Sequence, residues 1–151
     1  MRMFEDIASQ VDLMRVLRER LSVFYVFSNE ILGDMLHVRA ASFAGPNRLD
    51  PRDNPGRYAV PLDLTFCRET LSLGMSLAIS ETHTHPLVRN SPALGGCGAG
   101  VAAYLGVPVP GAKRTLCAMH VQRRPWSDGD IQMMREAART SATLPYYPPE
   151  D

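Results

Sequence analysis

Three cysteines and a closely spaced pair of histidines are the residues of this 151-residue chain best suited to chemistry. Cys67 sits in LTFCRETL, Cys97 in GGCGAG and Cys117 in RTLCAMH. A thiol becomes a nucleophile when its pKa is lowered and a reagent can reach it. Cys97, flanked by Gly95, Gly96 and Gly98, is the thiol expected to be uncovered; Cys67 and Cys117 read as small, buried, slowly reacting side chains. A disulfide would need Cα atoms within about 7 Å, which no spacing along this chain predicts. His83 and His85 form a His-x-His pair. In an extended segment both imidazoles would share a face and could reach one metal. The third ligand would have to be Glu81, Cys97 or His120. In the plainer reading, Thr82 and His83 lie on a solvated loop, His85 is hydrogen-bonded near Pro86, and no metal is bound.

Elements must position these groups. Residues 3–20 read as a helix, with Phe4, Ile7, Val11 and Met14 on one stripe that Leu13, Val16 and Leu17 widen. Residues 22–28 suit an interior strand, Asn29–Asp34 a turn, and 35–42 a partner strand with Leu36, Val38 and Ala40 on one side. Residues 44–57 carry Pro, Gly and charge with no apolar period and read as a mobile loop. A short helix is expected over 62–72, closed by Gly74, then a strand through Met75, Leu77 and Ile79, and a short helix near 86–90. Strands follow at 100–109 and 114–122. Ser127 and Asp130 have the spacing of a capping box for a last helix, and residues 143–151 read as a tail. Helices at both ends and hairpins between them indicate an α+β domain, one antiparallel sheet faced by helices. On the penultimate strand Tyr104 faces away from Ala103 and Leu105; on the last, Thr115, Cys117 and Met119 share one face.

Composition bounds the function. The length suits a single domain. Sixteen basic and sixteen acidic residues cancel, which argues against a protein built to neutralise nucleic-acid phosphates. No apolar run approaches the length of a membrane span. The opening MRMFEDIASQ places acids where a signal peptide needs apolar residues, so a cytoplasmic location is expected.

The segments VPLDLTFCRETL, SLAISETHTHPLV, VAAYLGVPV, TLCAMHVQRRPWSDGD and the closing helix resemble, in order and spacing, bacterial members of the GAF domain family. The likeness covers roughly residues 3–142. It implies a PAS-like antiparallel sheet, with terminal helices on one face and a small-molecule pocket on the other. It also implies a non-enzymatic sensory or regulatory role in signal transduction. The expected pocket residues are Phe66, Cys67, Arg68, Thr70, His85, Tyr104, Cys117 and Met119, around an unidentified ligand. Homodimerisation through the terminal helices is expected from Phe4, Ile7 and Val11 with Met133 or Met134, together with a downstream signalling partner. No kinase, cyclase, phosphodiesterase or DNA-binding segment is legible, so the chain is expected to be a stand-alone sensor or a piece of a longer protein.

The chain departs from the family pattern at Arg114, where a Gly is usual, and at His120, where an acid is usual. No Cys is followed by His, as covalent bilin attachment would require, and the Asn-Lys signature of the cyclic-nucleotide branch is absent. A haem would need His85 or His120 in an apolar cavity. Two alternatives to the sensor remain. One is a thiol-dependent free methionine sulfoxide reductase, although Cys67 and Cys97 stand farther apart than that branch's loop cysteines. The other is a dimerisation module without a pocket.

Overall fold

A computed structural model describes residues 3–44, 58–96 and 98–148. The expectations for 45–57 and for Cys97 fall outside these residues. The elements are α1 (Gln10–Leu21), β1 (Tyr25–Leu32), β2 (Met35–Phe43), β3 (Ala59–Pro61), α2 (Cys67–Leu73), β4 (Leu77–Ile79), β5 (Ala103–Pro108), β6 (Arg114–His120) and α3 (Asp128–Ser141). The strands form one antiparallel sheet in the order β3-β2-β1-β6-β5-β4. This is the expected α+β architecture. None of the described helices is long and apolar enough to cross a membrane.

Each sheet face carries its own core. On one side α1 and α3 pack Leu13, Met14, Leu17 and Met134 against Val26, Leu105, Leu116 and Ala118. On the other, Phe66 and Cys67 cover Ile79, Tyr104, Cys117 and Met119. Strand alternation produces this division: Leu116 and Ala118 turn to the helices, Cys117 and Met119 away from them.

Several expectations are corrected. Helix α1 starts at Gln10 because Ser9 caps it, its Oγ accepting from the Asp12 amide at 3.2 Å. Residues 3–8 are not helical, yet Phe4 is buried in the helix-side core. Strand β1 runs through the expected turn to Leu32, because Asn29 and Ile31 face inward and Ile31 pairs with Leu36. The turn is only Gly33 and Asp34, with Gly33 at φ +62° as tight hairpins favour. Leu36 and Val38 face away from the terminal helices, but Ala40 faces them. A bulge sets this switch: Ser28 pairs with Ala40 and Asn29 with Val38, which leaves Arg39 unmatched. Strand β3 and a 3-10 turn at Pro92–Gly95 were not foreseen; residues 86–90 form turns rather than a helix.

The terminal helices run antiparallel and are tied at both ends. At one end Arg114, only 9% exposed, reaches across from β6. Its guanidinium donates to Ser141 Oγ at 2.7 Å, Ser141 O at 3.3 Å, Ser28 Oγ at 3.3 Å and Gln10 Oε1. Gln10 in turn donates to Ser141 O and Leu144 O. The expected tail belongs to this cluster: Pro145 and Tyr146 carbonyls accept from the Gln10 and Val11 amides, and the Tyr146 ring lies 5.4 Å from the guanidinium. At the other end Arg124 donates to Leu21 O at 2.8 Å and pairs with Asp130 at 2.9 Å. Asp130 also completes the foreseen capping box with Ser127.

Arg114 has no carboxylate among the described partners; neutral acceptors take up its two terminal nitrogens, while its buried Nε has no partner among the described residues. Arg114→Ala is expected to destabilise the fold by about 3 kcal/mol in urea unfolding, because charged hydrogen bonds are lost and buried acceptors orphaned. Arg114→Lys should recover only part of this, since a point charge cannot reproduce the fork.

Candidate functional site

A cavity of about 150 Å³ lies on the sheet face opposite the terminal helices. Its floor is Phe27 and Asn29 from β1, Leu36 and Val38 from β2, Tyr104 from β5, and Cys117 and Met119 from β6. Val60, Thr65, Phe66, Cys67 and Gly98 complete it, with Tyr58 at its side. No lining residue among those described is Asp, Glu, Lys, Arg or His.

The structure brings together two thiols that sequence spacing kept apart. Cys67 opens α2, Cys117 lies mid-strand in β6, and both sulfurs gather around the amide nitrogen of Asn29. The Cys67 Sγ also accepts from Tyr104 Oη at 3.3 Å and from Thr115 Oγ1 at 3.4 Å. Asn29 Nδ2 bridges the group, lying 3.2 Å from Thr115 Oγ1, 3.5 Å from Cys117 Sγ and 3.7 Å from Cys67 Sγ. Thr70 and Tyr104 share a 2.8 Å hydrogen bond behind it. Burial of Cys67 and Cys117 was foreseen; this polar network around them was not. Asn29, assigned to a turn from its residue type, is 1% exposed, and its Oδ1 has no partner among the described residues.

Tyr104 needs Gly106. The ring lies along its own strand toward α2, and a Cβ at position 106 would overlap both the Tyr104 and Thr70 hydroxyls.

The remaining candidates stand elsewhere. Arg68 points to solvent and pairs with Asp63 at 3.4 Å. Thr70 is buried behind Tyr104 and is not on the wall. His85 accepts the Leu87 amide on Nδ1 at 3.2 Å, away from the wall. Thr82 is fully buried, donating to Val101 O at 2.7 Å, so the loop is less solvated than expected. Strand alternation turns His120 to the helix side, so it cannot supply an axial ligand to the cavity. Among the described residues no three His, Cys, Asp or Glu side chains gather to hold a metal.

The network splits the two thiols electrostatically. The hydrogen bond from Cys117, opposed by burial and helped by Thr115, Tyr104 and Asn29, lowers the Cys67 pKa from 9.0 to about 7. The same bond and burial raise Cys117 well above the usual thiol range. Burial, then the charge of Cys67, raises Tyr104, which stays protonated. Between pH 7 and 9 the unfolded chain therefore holds more protons at position 67 than the folded one, and stability from this site rises with pH. It is fully present above 9 and lost as pH falls through about 7. Cys117 and Tyr104 act oppositely, losing stability as pH climbs further. The stability difference between the wild type and Cys67→Ser is therefore expected to grow from below pH 7 to pH 9, as read by denaturant unfolding.

No family model matches the sequence, and no curated protein matches it significantly. Solved structures do share its fold. The GAF domain of an Acinetobacter phosphoenolpyruvate-protein phosphotransferase superposes with a TM-score of 0.68 at 12% identity, covering 92% of this chain and 84% of that one. A type II free methionine-R-sulfoxide reductase from Thermoplasma acidophilum gives 0.66 at 13%, covering 88% and 86%. The blue-light absorbing form of the Thermosynechococcus elongatus PixJ GAF domain gives 0.64 at 21%, covering 87% and 79%. Photoreceptor, phosphotransferase and reductase domains thus share one scaffold, and this chain has the GAF-domain fold, with a two-thiol cavity on the sheet face away from its terminal helices.

Proposed function

We propose that the chain is a non-enzymatic sensory domain in signal transduction that binds a small, uncharged, largely apolar molecule carrying one hydrogen-bond donor. The observation that carries this reading is the unpartnered Oδ1 of buried Asn29, a residue of the cavity wall. A buried acceptor without a donor costs about 1–3 kcal/mol, which a ligand donor would recover. The volume sets the size. About 150 Å³ suits a benzene-sized body. It is far too small for a tetrapyrrole.

A second reading, thiol-dependent reduction of free methionine sulfoxide, draws support from the placement of Cys67 and Cys117 around one shared donor, Asn29 Nδ2. Against it, a free amino acid is a zwitterion, and the described wall offers it no counter-charge. A turnover assay with free methionine sulfoxide and a dithiol reductant separates the two; sustained turnover overturns the sensor.

Dimerisation belongs to the same proposal in modified form. Phe4 and Met134 are spent on the chain's own core. Ile7, Val11, Val16 and Met133 pack against the same core but are only half-buried, and their remaining exposed surface is what a second copy would cover. Light scattering should give twice the chain mass.

Phenol serves as a probe of fitting size with one donor, and toluene as its donor-less counterpart. In titration calorimetry Asn29→Leu is expected to weaken phenol binding about tenfold while leaving toluene no weaker. Equal loss of both, or no phenol binding to the wild type, would overturn the reading.

A further inference from the structure

We infer that Cys67 and Cys117 form an oxidation site, in which a small hydroperoxide entering the cavity converts the two thiols into an internal disulfide. The inference concerns the same cavity as the ligand reading but does not rest on it.

Four features of the geometry converge. The two sulfurs, one from a helix and one from a strand, share a donor, with Asn29 Nδ2 3.7 Å from Cys67 Sγ and 3.5 Å from Cys117 Sγ, and both residues are on the cavity wall. Three donors, on Tyr104, Thr115 and Asn29, surround Cys67 Sγ and favour its thiolate. Tyr104 Oη, 3.3 Å from that sulfur and backed by Thr70, is placed to hand a proton to a leaving oxygen. The free Asn29 Oδ1 can accept the peroxide hydrogen. Tyr104 stays protonated, and the lowered pKa of Cys67 keeps a thiolate present near neutral pH.

The reaction balances in two steps. The Cys67 thiolate attacks one oxygen of ROOH; an S–O bond forms, the O–O bond breaks, and ROH leaves with a proton relayed through Tyr104. Cys117 then attacks the Cys67 sulfur of the sulfenic acid; an S–S bond forms, the S–O bond breaks, and the hydroxyl leaves as water with the Cys117 proton. Two thiols are oxidised by two electrons in total, and one hydroperoxide is reduced to ROH and water.

The test treats the intact protein with one equivalent of hydrogen peroxide, unfolds it, alkylates the free thiols and maps the peptides. The expected product is a Cys67–Cys117 crosslink that dithiothreitol reverses. Cys117→Ser should stop at a sulfenic acid on Cys67, trapped by dimedone, and Tyr104→Phe should slow the crosslink about 100-fold, as loss of an acid catalyst does. Free Cys67 and Cys117 after treatment, or a Cys67–Cys97 crosslink in their place, would overturn the inference. Phenol binding with no crosslink would sink this inference alone; a crosslink with no phenol binding would sink the ligand reading alone.

Discussion

A buried guanidinium with no carboxylate among its described partners constrains the helix side of this molecule. Arg114 leaves the last strand where the chain could have turned with a small residue, and it must find acceptors in the space between the terminal helices. It finds them on Gln10, Ser28 and Ser141, one from each of α1, β1 and α3. Charge of this kind tolerates little freedom, because any acceptor that withdraws leaves part of the ion desolvated and unpaired. The relative placement of α1, α3 and the segment ending at Tyr146 follows from that requirement.

The cavity lies back to back with this clamp. Ser28 and Asn29 are consecutive residues of β1; one bonds into the clamp and the other bridges the thiols. Arg114 and Thr115 are consecutive residues of β6 and divide in the same way. Both pairs sit in the two central strands, whose ladder aligns Ser28 with Leu116 and Asn29 with Thr115. The bulge at Arg39 lies beside the same point and turns β2 from cavity-facing to helix-facing. The polar groups of the two sheet faces are therefore one peptide unit apart.

The cavity side obeys different rules. Its wall is apolar apart from a knot of neutral donors and acceptors, and the least satisfied of these is the Asn29 amide. Gly106 makes room for the Tyr104 hydroxyl to approach both Thr70 and Cys67. Without that room the thiol would lose a donor, and the electrostatic division between Cys67 and Cys117 would weaken.

What the sequence determined by itself was local or periodic. Alternation marked Cys117 and Met119 on one face of β6 and Leu116 and Ala118 on the other. The Ser127–Asp130 spacing marked the start of α3, and ordered motifs marked the fold. These signals need only neighbours in the chain. Tertiary structure alone decided the rest. Asn29 read as a turn residue because its type favours turns, and its place as a buried bridge depends on Thr115 and Cys117, 86 and 88 positions away. Arg114 read as an oddity, since its acceptors come from three distant elements. Cys67 and Cys117 read as separate small apolar residues, because no one-dimensional spacing encodes a contact between a helix and the third strand beyond it. Burial and hydrogen-bond partnership are properties of the packed chain, and they gathered two ordinary cysteines around one buried amide.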